Sequence, residues 1–277
     1  MADELFAQTV AETLALIEDR LMEATVSQYS FVTEAAQHIV SAGGKRFRPA
    51  LVVTAAHLGS DFDLDEVIGA ALVMELTHVA SLYHDDVMDE ADLRRGVSSA
   101  NNRYGNSTAI LVGDYLFARA SREVARLGPE YVDLQAQTFA ELVEGQMAET
   151  TGPLAGEDPI DHHFKVLAGK TASLIRASAL FGGMVGGVSD LALDALGRFG
   201  FEIGMVFQLS DDLIDIVSDT TGKTPGTDLR EGIPTLPTLL LASSPAVGDH
   251  ELAERIAAGR SEERRVGEEC RSRWSAY

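Results

Sequence analysis

The chain contains the stretch VASLYHDDVMD at residues 79–89, in which an apolar run leads into three aspartates spaced as Asp-Asp-x-x-Asp. The same spacing recurs in the stretch FQLSDDLID at residues 207–215. The aspartates are Asp85, Asp86 and Asp89 in the first cluster and Asp211, Asp212 and Asp215 in the second. Carboxylates among so many apolar residues are usually paired or bound to metal. The two clusters therefore indicate a functional site rather than two solvated acidic helix faces.

The spacing within each cluster places carboxylates on one helix face. Residues i and i+4 are neighbours on a helix, so Asp85 pairs with Asp89, and the second cluster repeats the arrangement. Four carboxylates facing one cavity would repel each other without divalent cations between them. Magnesium and manganese prefer oxygen ligands, and magnesium is commonly held by one or two carboxylates together with substrate phosphates. We therefore expect magnesium, with manganese as an alternative, and a phosphorylated ligand.

Basic residues lie beside glycines in four short segments. The segment GGKRFRP at residues 43–49 combines three positive charges with two glycines that let the backbone approach a ligand. The other segments are RRG at 94–96, GKT at 169–171 and GK at 222–223. Any one of these residues alone would be read as a solvated surface charge. Together with the aspartates they predict a diphosphate site, because guanidinium and ammonium groups bind phosphate oxygens.

The composition excludes several classes of protein. The 277 residues carry a formal net charge of −21, which argues against nucleic acid and against electrostatic attachment to anionic lipid. The sequence lacks a run of about 18 apolar residues, and its first residues lack the pattern of a signal peptide. We therefore expect no transmembrane segment and a cytoplasmic location.

Helical periodicity dominates the sequence. Apolar residues at spacings of three and four over residues 10–21 predict a first helix. Asp63 and Glu66 suggest a capping box that opens a long helix ending at the first aspartate cluster. Breaks between helices are predicted at turn-rich segments 105–107, 152–159 and 182–187, and at Pro234 and Pro237. With no alternating strand pattern of useful length, the prediction is an all-α fold of antiparallel helices around a central cavity.

The last residues depart from this pattern. From Arg260 onward the alanine- and leucine-rich composition ends, and the segment resembles an in-frame translation of a DNA-sequencing adapter. We therefore expect one domain over residues 1–259 and a non-native tail over residues 260–277. The only cysteine, Cys270, and the only tryptophan, Trp274, lie in this tail. Neither a disulfide nor a zinc thiolate site is expected in the body.

These motifs resemble those of the trans-isoprenyl diphosphate synthases, also called polyprenyl synthetases. Residues 84–96 and 207–229 look like the family's two aspartate-rich motifs, 43–49 like its isopentenyl diphosphate loop and 169–174 like its Gly-Lys-Thr segment. The motifs keep the family's order over about residues 30–242. The resemblance implies an isoprenoid-synthase-type helical bundle, a homodimer, and a C-terminal truncation at residue 259, since members continue for several more helices.

The family joins isopentenyl diphosphate to an allylic diphosphate, such as farnesyl or geranylgeranyl diphosphate, by ionisation, condensation and proton loss. The resemblance implies magnesium ligands at Asp85, Asp89 and Asp211, supported by Asp86, Asp212 and Asp215. The allylic diphosphate would be held by Arg94, Lys170 and Lys223, with oxygen dipoles near the developing cation from Thr171 and Gln208. Isopentenyl diphosphate would be bound by Lys45, Arg48, His78 and Arg95. No general base is evident, so the departing diphosphate itself would take the proton.

Product length is expected to depend on the residues one turn before the first aspartate cluster, which here are the small Ala80 and Ser81. In the family, aromatic residues at these places look like a barrier that stops the growing tail and keeps products short, whereas small residues let the tail pass. We therefore predict an all-trans product of about six to ten isoprene units, C30 to C50, destined for a quinone side chain.

Other functions are open at this point. A short-chain farnesyl or geranylgeranyl diphosphate synthase would use the same motifs, and a non-catalytic partner subunit of a heteromeric synthase would usually have lost aspartates. A terpene cyclase would carry Asn, Ser and Glu in its second motif. A metal-dependent phosphohydrolase would need more histidines than His84, His162 and His163 supply. The exact chain length and the preferred primer lie beyond what the residues indicate.

Overall fold

Helices make up nearly all of the regular structure in this computed structural model, which describes residues 2–217 and 232–257 together with Gly226 and Leu229. The helices are α1 Ala2–Ala24, α2 Ser30–Ser41, α3 Phe47–Ala56, α4 Leu64–Met88, α5 Ala100–Tyr104, α6 Asn106–Leu127, α7 Pro129–Thr151, α8 Pro159–Leu167, α9 Ser173–Val185, α10 Asp190–Val217, α11 Leu236–Ala242 and α12 Val247–Ala257. A π-helical turn, Ala168–Ala172, joins α8 to α9. The all-α prediction is confirmed.

The described chain divides into two compact units. The first unit comprises residues up to Glu141 and Ser173–Phe201, and the second comprises Leu142–Ala172 and the described residues from Glu202 onward. The three divisions fall inside α7, between the π-helical turn and α9, and inside α10. The first aspartate cluster belongs to the first unit and the second cluster to the second unit. Lys223 and the tail predicted over 260–277 lie outside the described residues.

Helix α4 is the core of the first unit. Asp63 caps it by accepting a hydrogen bond from the backbone N–H of Asp65 at 2.7 Å, rather than through the predicted capping box with Glu66. The helix packs against α1, α3, α6 and α9. Its most apolar window is long enough to cross a membrane, but 78% of that window is buried within the protein, as is usual for a core helix. The helix ends at the first aspartate cluster, as predicted.

Two neighbours fix the ends of α4. The second half of the stripe predicted for α1 is buried, with Ile17 1% and Leu21 0% exposed, whereas Val10 and Leu14 are half-buried. Near the other end, the Tyr83 hydroxyl donates to the carbonyl of Ala35 at 2.5 Å and accepts from the N–H of Ile39 at 3.2 Å. These contacts hold α2 against the turn of α4 that precedes the aspartates.

The break predicted at residues 182–187 is wrong for its first part. Gly182 and Gly183 lie inside α9, and the chain leaves the helix only after Val185. A Cβ on Gly182 would lie 2.3 Å from the carbonyl oxygen of Val52. Gly182 therefore permits close packing of α3 against α9, while a Cβ on Gly183 would lie 2.6 Å from Cδ1 of Leu196 on α10.

A short hairpin follows α4, although no strand was predicted. Its strands, β1 Leu93–Arg94 and β2 Val97–Ser98, pair antiparallel, with Arg94 opposite Val97. The two turn residues, Arg95 and Gly96, both have positive φ, 53° and 79°. This is the pattern of a type I′ turn, which suits a two-residue hairpin loop. The hairpin returns Arg94 and Arg95 towards α4.

The second unit contains its own small core and a tight helix approach. Ile216, Leu229 and Leu252 are buried together. A Cβ on Gly145 of α7 would lie 2.4 Å from the backbone nitrogen of Lys170, so glycine allows α7 to approach the π-helical turn. Such π-helical insertions are frequent at functional sites.

Candidate active site

The first aspartate cluster lies at the C-terminal end of α4. Asp85 is half-buried and Asp89 is exposed. The N–H of Asp89 donates to the carbonyl of Asp85 at 2.8 Å, so the two residues are one helical turn apart, as the spacing predicts. Between them, Asp86 is fully buried. The cluster therefore has an outer pair and an inner member.

Asp86 is engaged by the protein. Its Oδ1 accepts a hydrogen bond from Nε of Arg94 at 2.6 Å, and its Oδ2 accepts one from the N–H of Ala100 at 3.2 Å. These two bonds join the end of α4 to β1 and to the start of α5. Both oxygens thus serve the scaffold, in keeping with the supporting role expected for this residue.

Arg46 lies in the basic segment and is almost completely buried. Its Nε and Nη2 donate to Glu18, and its Nη1 donates to Oε1 of Glu75 at 2.8 Å. The carbonyls of Val40 and Gly43 accept from Nη2 and Nη1 at 3.0 and 3.5 Å. All five N–H groups of this guanidinium therefore have a protein acceptor. Arg46 is an anchor of the site rather than a ligand-binding group.

Arg95 approaches the same carboxylate from the hairpin. Its Nη2 lies 3.8 Å from Oε1 of Glu75, and its Nη1 donates to the carbonyls of Ile39 and Gly43. Burial and the neighbouring arginines lower the pKa of Arg95, while Glu75 opposes the shift. The guanidinium is held against the C-terminal end of α2, where carbonyl groups favour a cation.

Arg48 and His78 complete this cationic cluster. Nε of Arg48 is buried and has no hydrogen-bond partner in the protein. Burial lowers the pKa of Arg48 to about 10, with Arg95 adding to the shift and Glu75 opposing it. Burial, followed by Arg48 and the other arginines, holds the pKa of His78 well below its usual range. His78 is therefore neutral at pH 7 and lies in a positive field.

Lys45 and the two proposed length-determining residues differ in their exposure to solvent. Lys45 is exposed at the start of the basic segment, while Ala80 is fully buried. Ser81 is 9% exposed and its hydroxyl donates to the carbonyl of His78 at 2.8 Å. The structure thus places both proposed length-determining residues inside the first unit, one turn before the aspartates.

His84 packs between helices. Its Nε2 lies 3.1 Å from the carbonyl oxygen of Ile110, and a Cβ on Gly113 would meet that nitrogen at 2.3 Å. Its ring contacts Phe117 edge to face. The same nitrogen lies 3.4 Å from Oδ1 of Asp114, but among the described residues no third ligand joins them. The contacts therefore favour a packing role for His84 over a phosphohydrolase metal site.

In the second unit, the Gly-Lys-Thr segment forms the π-helical turn. Nζ of Lys170 lies 2.5 Å from Oε2 of Glu149 on α7. Lys170 and Glu149 are both partly exposed, at 28% and 36% of their side chains. A phosphate placed here would therefore compete with Glu149 for the ammonium group.

The second aspartate cluster is linked to this turn by a chain of hydrogen bonds. The Thr171 hydroxyl donates to Oε1 of Gln208 at 3.1 Å, and Nε2 of Gln208 donates to Asp212 at 3.4 Å. The other oxygen of Asp212 lies 3.3 Å from Nε2 of His163 and accepts from the N–H of Leu236 at 3.5 Å. Asp212 is 4% exposed, whereas Asp211 is exposed and Asp215 half-buried.

The donor set suits a divalent cation that is shared with a phosphorylated ligand. Among residues 2–217 and 232–257, no three His, Cys, Asp or Glu side chains form a complete metal site. Each cluster instead offers outer carboxylates one helical turn apart. Magnesium is commonly bound in this way, by one or two carboxylates completed by water and substrate phosphate.

The structure thus brings Arg48, His78, Arg94 and Arg95 together in the first unit, and Thr171, Gln208 and Asp212 together in the second. Sequence reasoning missed the acidic and histidine partners Glu18, Glu75, Glu149 and His163. One signal was available for Glu75, because a single carboxylate in the apolar interior of α4 is unusual unless it is paired. The other partners have no comparable sequence signal.

Comparisons with known proteins identify the family. The family profile described as Polyprenyl synthetase matches residues 29–272. A nonaprenyl diphosphate synthase from Mycobacterium tuberculosis is 49% identical over 242 residues, covering 86% of this chain and 72% of that protein.

Solved structures extend the likeness to the fold. A geranylgeranyl pyrophosphate synthase from Corynebacterium glutamicum, complexed with calcium and isoprenyl diphosphate, is 42% identical with a TM-score of 0.84, covering 97% of this chain and 82% of that one. A decaprenyl diphosphate synthase from Rhodobacter capsulatus is 31% identical with a TM-score of 0.84, covering 97% and 84%. The chain therefore belongs to the polyprenyl synthetase family, and it is a prenyltransferase.

Proposed function

We propose that this protein condenses isopentenyl diphosphate with an allylic diphosphate and repeats the step to make a long-chain all-trans polyprenyl diphosphate. The observation that carries the proposal is the cationic cluster beside the first aspartates, in which Arg48 has a buried Nε with no protein partner. A buried unpaired donor surrounded by like charges is a site for an anion. A diphosphate supplies both the charge and the acceptor oxygens.

Each residue of this cluster has a distinct task in binding isopentenyl diphosphate. Arg48 donates to the diphosphate, and the exposed Lys45 adds charge at the entrance. His78, kept neutral, contributes a hydrogen bond without adding repulsion among the arginines. The bound anion would in turn offset the repulsion among Arg48, Arg94 and Arg95.

The allylic diphosphate is the leaving group. Asp85 and Asp89 in the first unit, and Asp211 and Asp215 in the second, would hold magnesium, with Asp86 and Asp212 orienting their neighbours. When bound, the metal would neutralise charge that develops on the departing diphosphate. Lys170 and Arg94 would bind its oxygens, and Lys223 is assigned the same task from the sequence alone. The Thr171 hydroxyl and Gln208 amide would face the developing cation.

A long product is supported by the small residues before the first cluster and by the name of the 49% identical relative. Substitution of Ala80 by Phe tests this part. We expect the product to become shorter by at least two isoprene units, about ten carbons, because an aromatic ring would obstruct the space next to α4. A product of unchanged length would show that Ala80 does not control product length.

The proposal has four further parts. They are magnesium as the metal, a homodimer, a cytoplasmic location, and one domain over residues 1–259 with a non-native tail.

The direct test is incorporation of radiolabelled isopentenyl diphosphate into butanol-extractable products, using the 277-residue chain with farnesyl diphosphate. Label should be incorporated with magnesium, should be lost with EDTA and should return when magnesium is added in excess. No incorporation with farnesyl, geranyl or geranylgeranyl diphosphate would contradict the proposal. Activity that appears only after a second prenyl synthase subunit is added would indicate the partner-subunit alternative.

A further inference from the structure

Glu75 lies in the interior of α4 at a point where several cationic side chains converge. Its side chain is 2% exposed. Its Oε1 accepts from Nη1 of Arg46 at 2.8 Å and lies 3.8 Å from Nη2 of Arg95. It also opposes the lowering of the pKa of Arg48. One buried carboxylate thus contacts two arginines from separate segments of the chain and acts on a third, Arg48, through its charge.

The two arginines in contact with Glu75 both have a left-handed backbone conformation. Among the described residues, only Arg46, Glu90 and Arg95 are non-glycine residues with positive φ. Arg46 and Arg95, at 47° and 53°, are two of these three. Left-handed conformations are unfavourable for such residues and persist where surrounding contacts determine them. At Arg46 these contacts are with Glu18, Glu75 and the carbonyls of Val40 and Gly43. At Arg95 the hairpin loop itself requires positive φ, and the contact with Glu75 adds to it.

The three arginines differ in how many donors the protein uses. Arg46 has a protein acceptor for each of its N–H groups, and Nη1 of Arg95 donates to two carbonyls. Arg48 has no ion pair within 4.0 Å among the described residues, and its buried Nε has no partner. The carboxylate therefore fixes two arginines as a frame and leaves the third for a ligand.

We infer that Glu75 is a positioning residue for the isopentenyl diphosphate site, holding Arg46 and Arg95 so that Arg48 and Arg95 present their remaining donors to the diphosphate. This inference rests on the proposed function. Glu75 has two effects, since it orients the guanidinium groups and lowers the mutual repulsion that would otherwise drive them apart. Both effects act on the non-allylic substrate.

The test is Glu75→Gln, which keeps the shape of the side chain and removes its charge. We expect the KM for isopentenyl diphosphate to rise about 10-fold or more, with kcat reduced less than about 3-fold and the KM for the allylic diphosphate unchanged. A loss of general structure would lower kcat and change both KM values together. Circular dichroism and the melting temperature show whether the variant is folded.

The matched control is Glu18→Gln. Glu18 pairs with the same arginine, Arg46, but its side chain is 42% exposed, and of the charges acting on the pKa of Arg95 it is the weakest. The KM for isopentenyl diphosphate should therefore change by less than about 2-fold. An equal rise in both variants would assign the effect to Arg46 alone and overturn the inference.

Two further measurements cover the remaining outcomes. If Glu75→Gln does not fold, Glu75→Asp takes its place as the test, because it keeps the charge but moves it away from the arginines. The KM of Glu75→Asp for isopentenyl diphosphate should rise about 3-fold or more. An unchanged KM overturns the inference. If the unaltered chain has no synthase activity, the proposed function fails by itself. Calorimetric binding of inorganic pyrophosphate to the unaltered chain and to Glu75→Gln then tests the inference, which requires weaker binding by the variant.

Discussion

The two aspartate clusters have the same spacing and a similar pattern of burial, but they are held by different chemistry. In each cluster the second aspartate is buried and the outer ones are more exposed. Asp86 in the first unit accepts from a guanidinium group, whereas the neighbours of Asp212 in the second unit are a glutamine amide, a histidine ring and a backbone N–H. The comparison indicates that the inner aspartates serve the scaffold, whereas a role of the outer ones in binding the ligand is part of our proposal.

The surroundings of the clusters also differ in charge. Near the first cluster, four arginines lie around α4 and the hairpin, and Glu18, Glu75 and Asp86 pair with three of them. Near the second cluster, the lysine of the π-helical turn is already paired with Glu149. The fourth arginine near the first cluster, Arg48, has a buried Nε without a protein partner, and the isopentenyl diphosphate site that we propose uses this group.

The largest expected effect separates outer from inner aspartates. Asp85→Asn should lower kcat by about 10³-fold, because a metal ligand contributes several kcal/mol to stabilising charge in the transition state. Its melting temperature should stay close to that of the unaltered chain. The control is Asp92→Asn, an exposed aspartate after α4, which should remain nearly fully active. A loss of activity below about 10-fold in Asp85→Asn would contradict the assignment.

Removing the inner charge of the first cluster should instead reduce stability. Asp86→Asn leaves the guanidinium of Arg94 without its carboxylate, and we expect about 2 to 3 kcal/mol less free energy of unfolding, measured in urea. This expected loss of unfolding free energy is smaller than that for a fully buried ion pair, because the Arg94 side chain is 27% exposed. The double substitution Asp86→Asn with Arg94→Gln should recover part of the loss. An unchanged urea midpoint would mean that this ion pair does not stabilise the hairpin.

The cationic surroundings of the first cluster predict a particular pH dependence. Burial and the arginines hold the pKa of His78 below its unfolded value, so the unfolded state takes up a proton that the folded state does not. Stability associated with neutral His78 is therefore present above about pH 6.5 and is lost as the pH falls below it. When the pH is lowered from 7 to 5, the unfolding free energy of His78→Gln should therefore fall by about 2 kcal/mol less than that of the unaltered chain. Equal losses would show that His78 titrates normally.

The smallest effect is expected in the second cluster. Asp212→Asn should cost only about 1 kcal/mol of unfolding free energy, because among the described residues its neighbours are a glutamine amide, a histidine ring and a backbone N–H rather than a guanidinium group, and an amide can replace part of these contacts. The urea midpoints of Asp212→Asn and Asp86→Asn, measured side by side, give the comparison directly. An equal or larger loss for Asp212→Asn would refute the difference between the two clusters.

Much of this organisation can be predicted from the sequence because it depends on local pattern. The end of α4 at the aspartates follows from periodicity and spacing, as do the positions of the basic segments. Gly182 and Gly183 were misassigned because a glycine pair indicates a turn unless the approach of another helix is known. The hairpin was missed because its strands are only two residues long.

The partners within the site could not be predicted for a different reason. Glu75 meets Arg46 and Arg95 only when α4, the basic segment and the hairpin are folded together. The same holds for the approach of His163 to Asp212. Residue types and spacing identify which groups can bind phosphate and metal, whereas tertiary packing decides which of them are already engaged by the protein.

The most direct test of the central claim is the length of the prenols obtained from the unaltered chain with labelled isopentenyl diphosphate, farnesyl diphosphate and magnesium. After removal of the diphosphate, reversed-phase chromatography separates the products by carbon number. Small residues at Ala80 and Ser81 predict products of about thirty carbons or more. Products that stop at about fifteen or twenty carbons would contradict the long-chain assignment, although the reaction itself would stand.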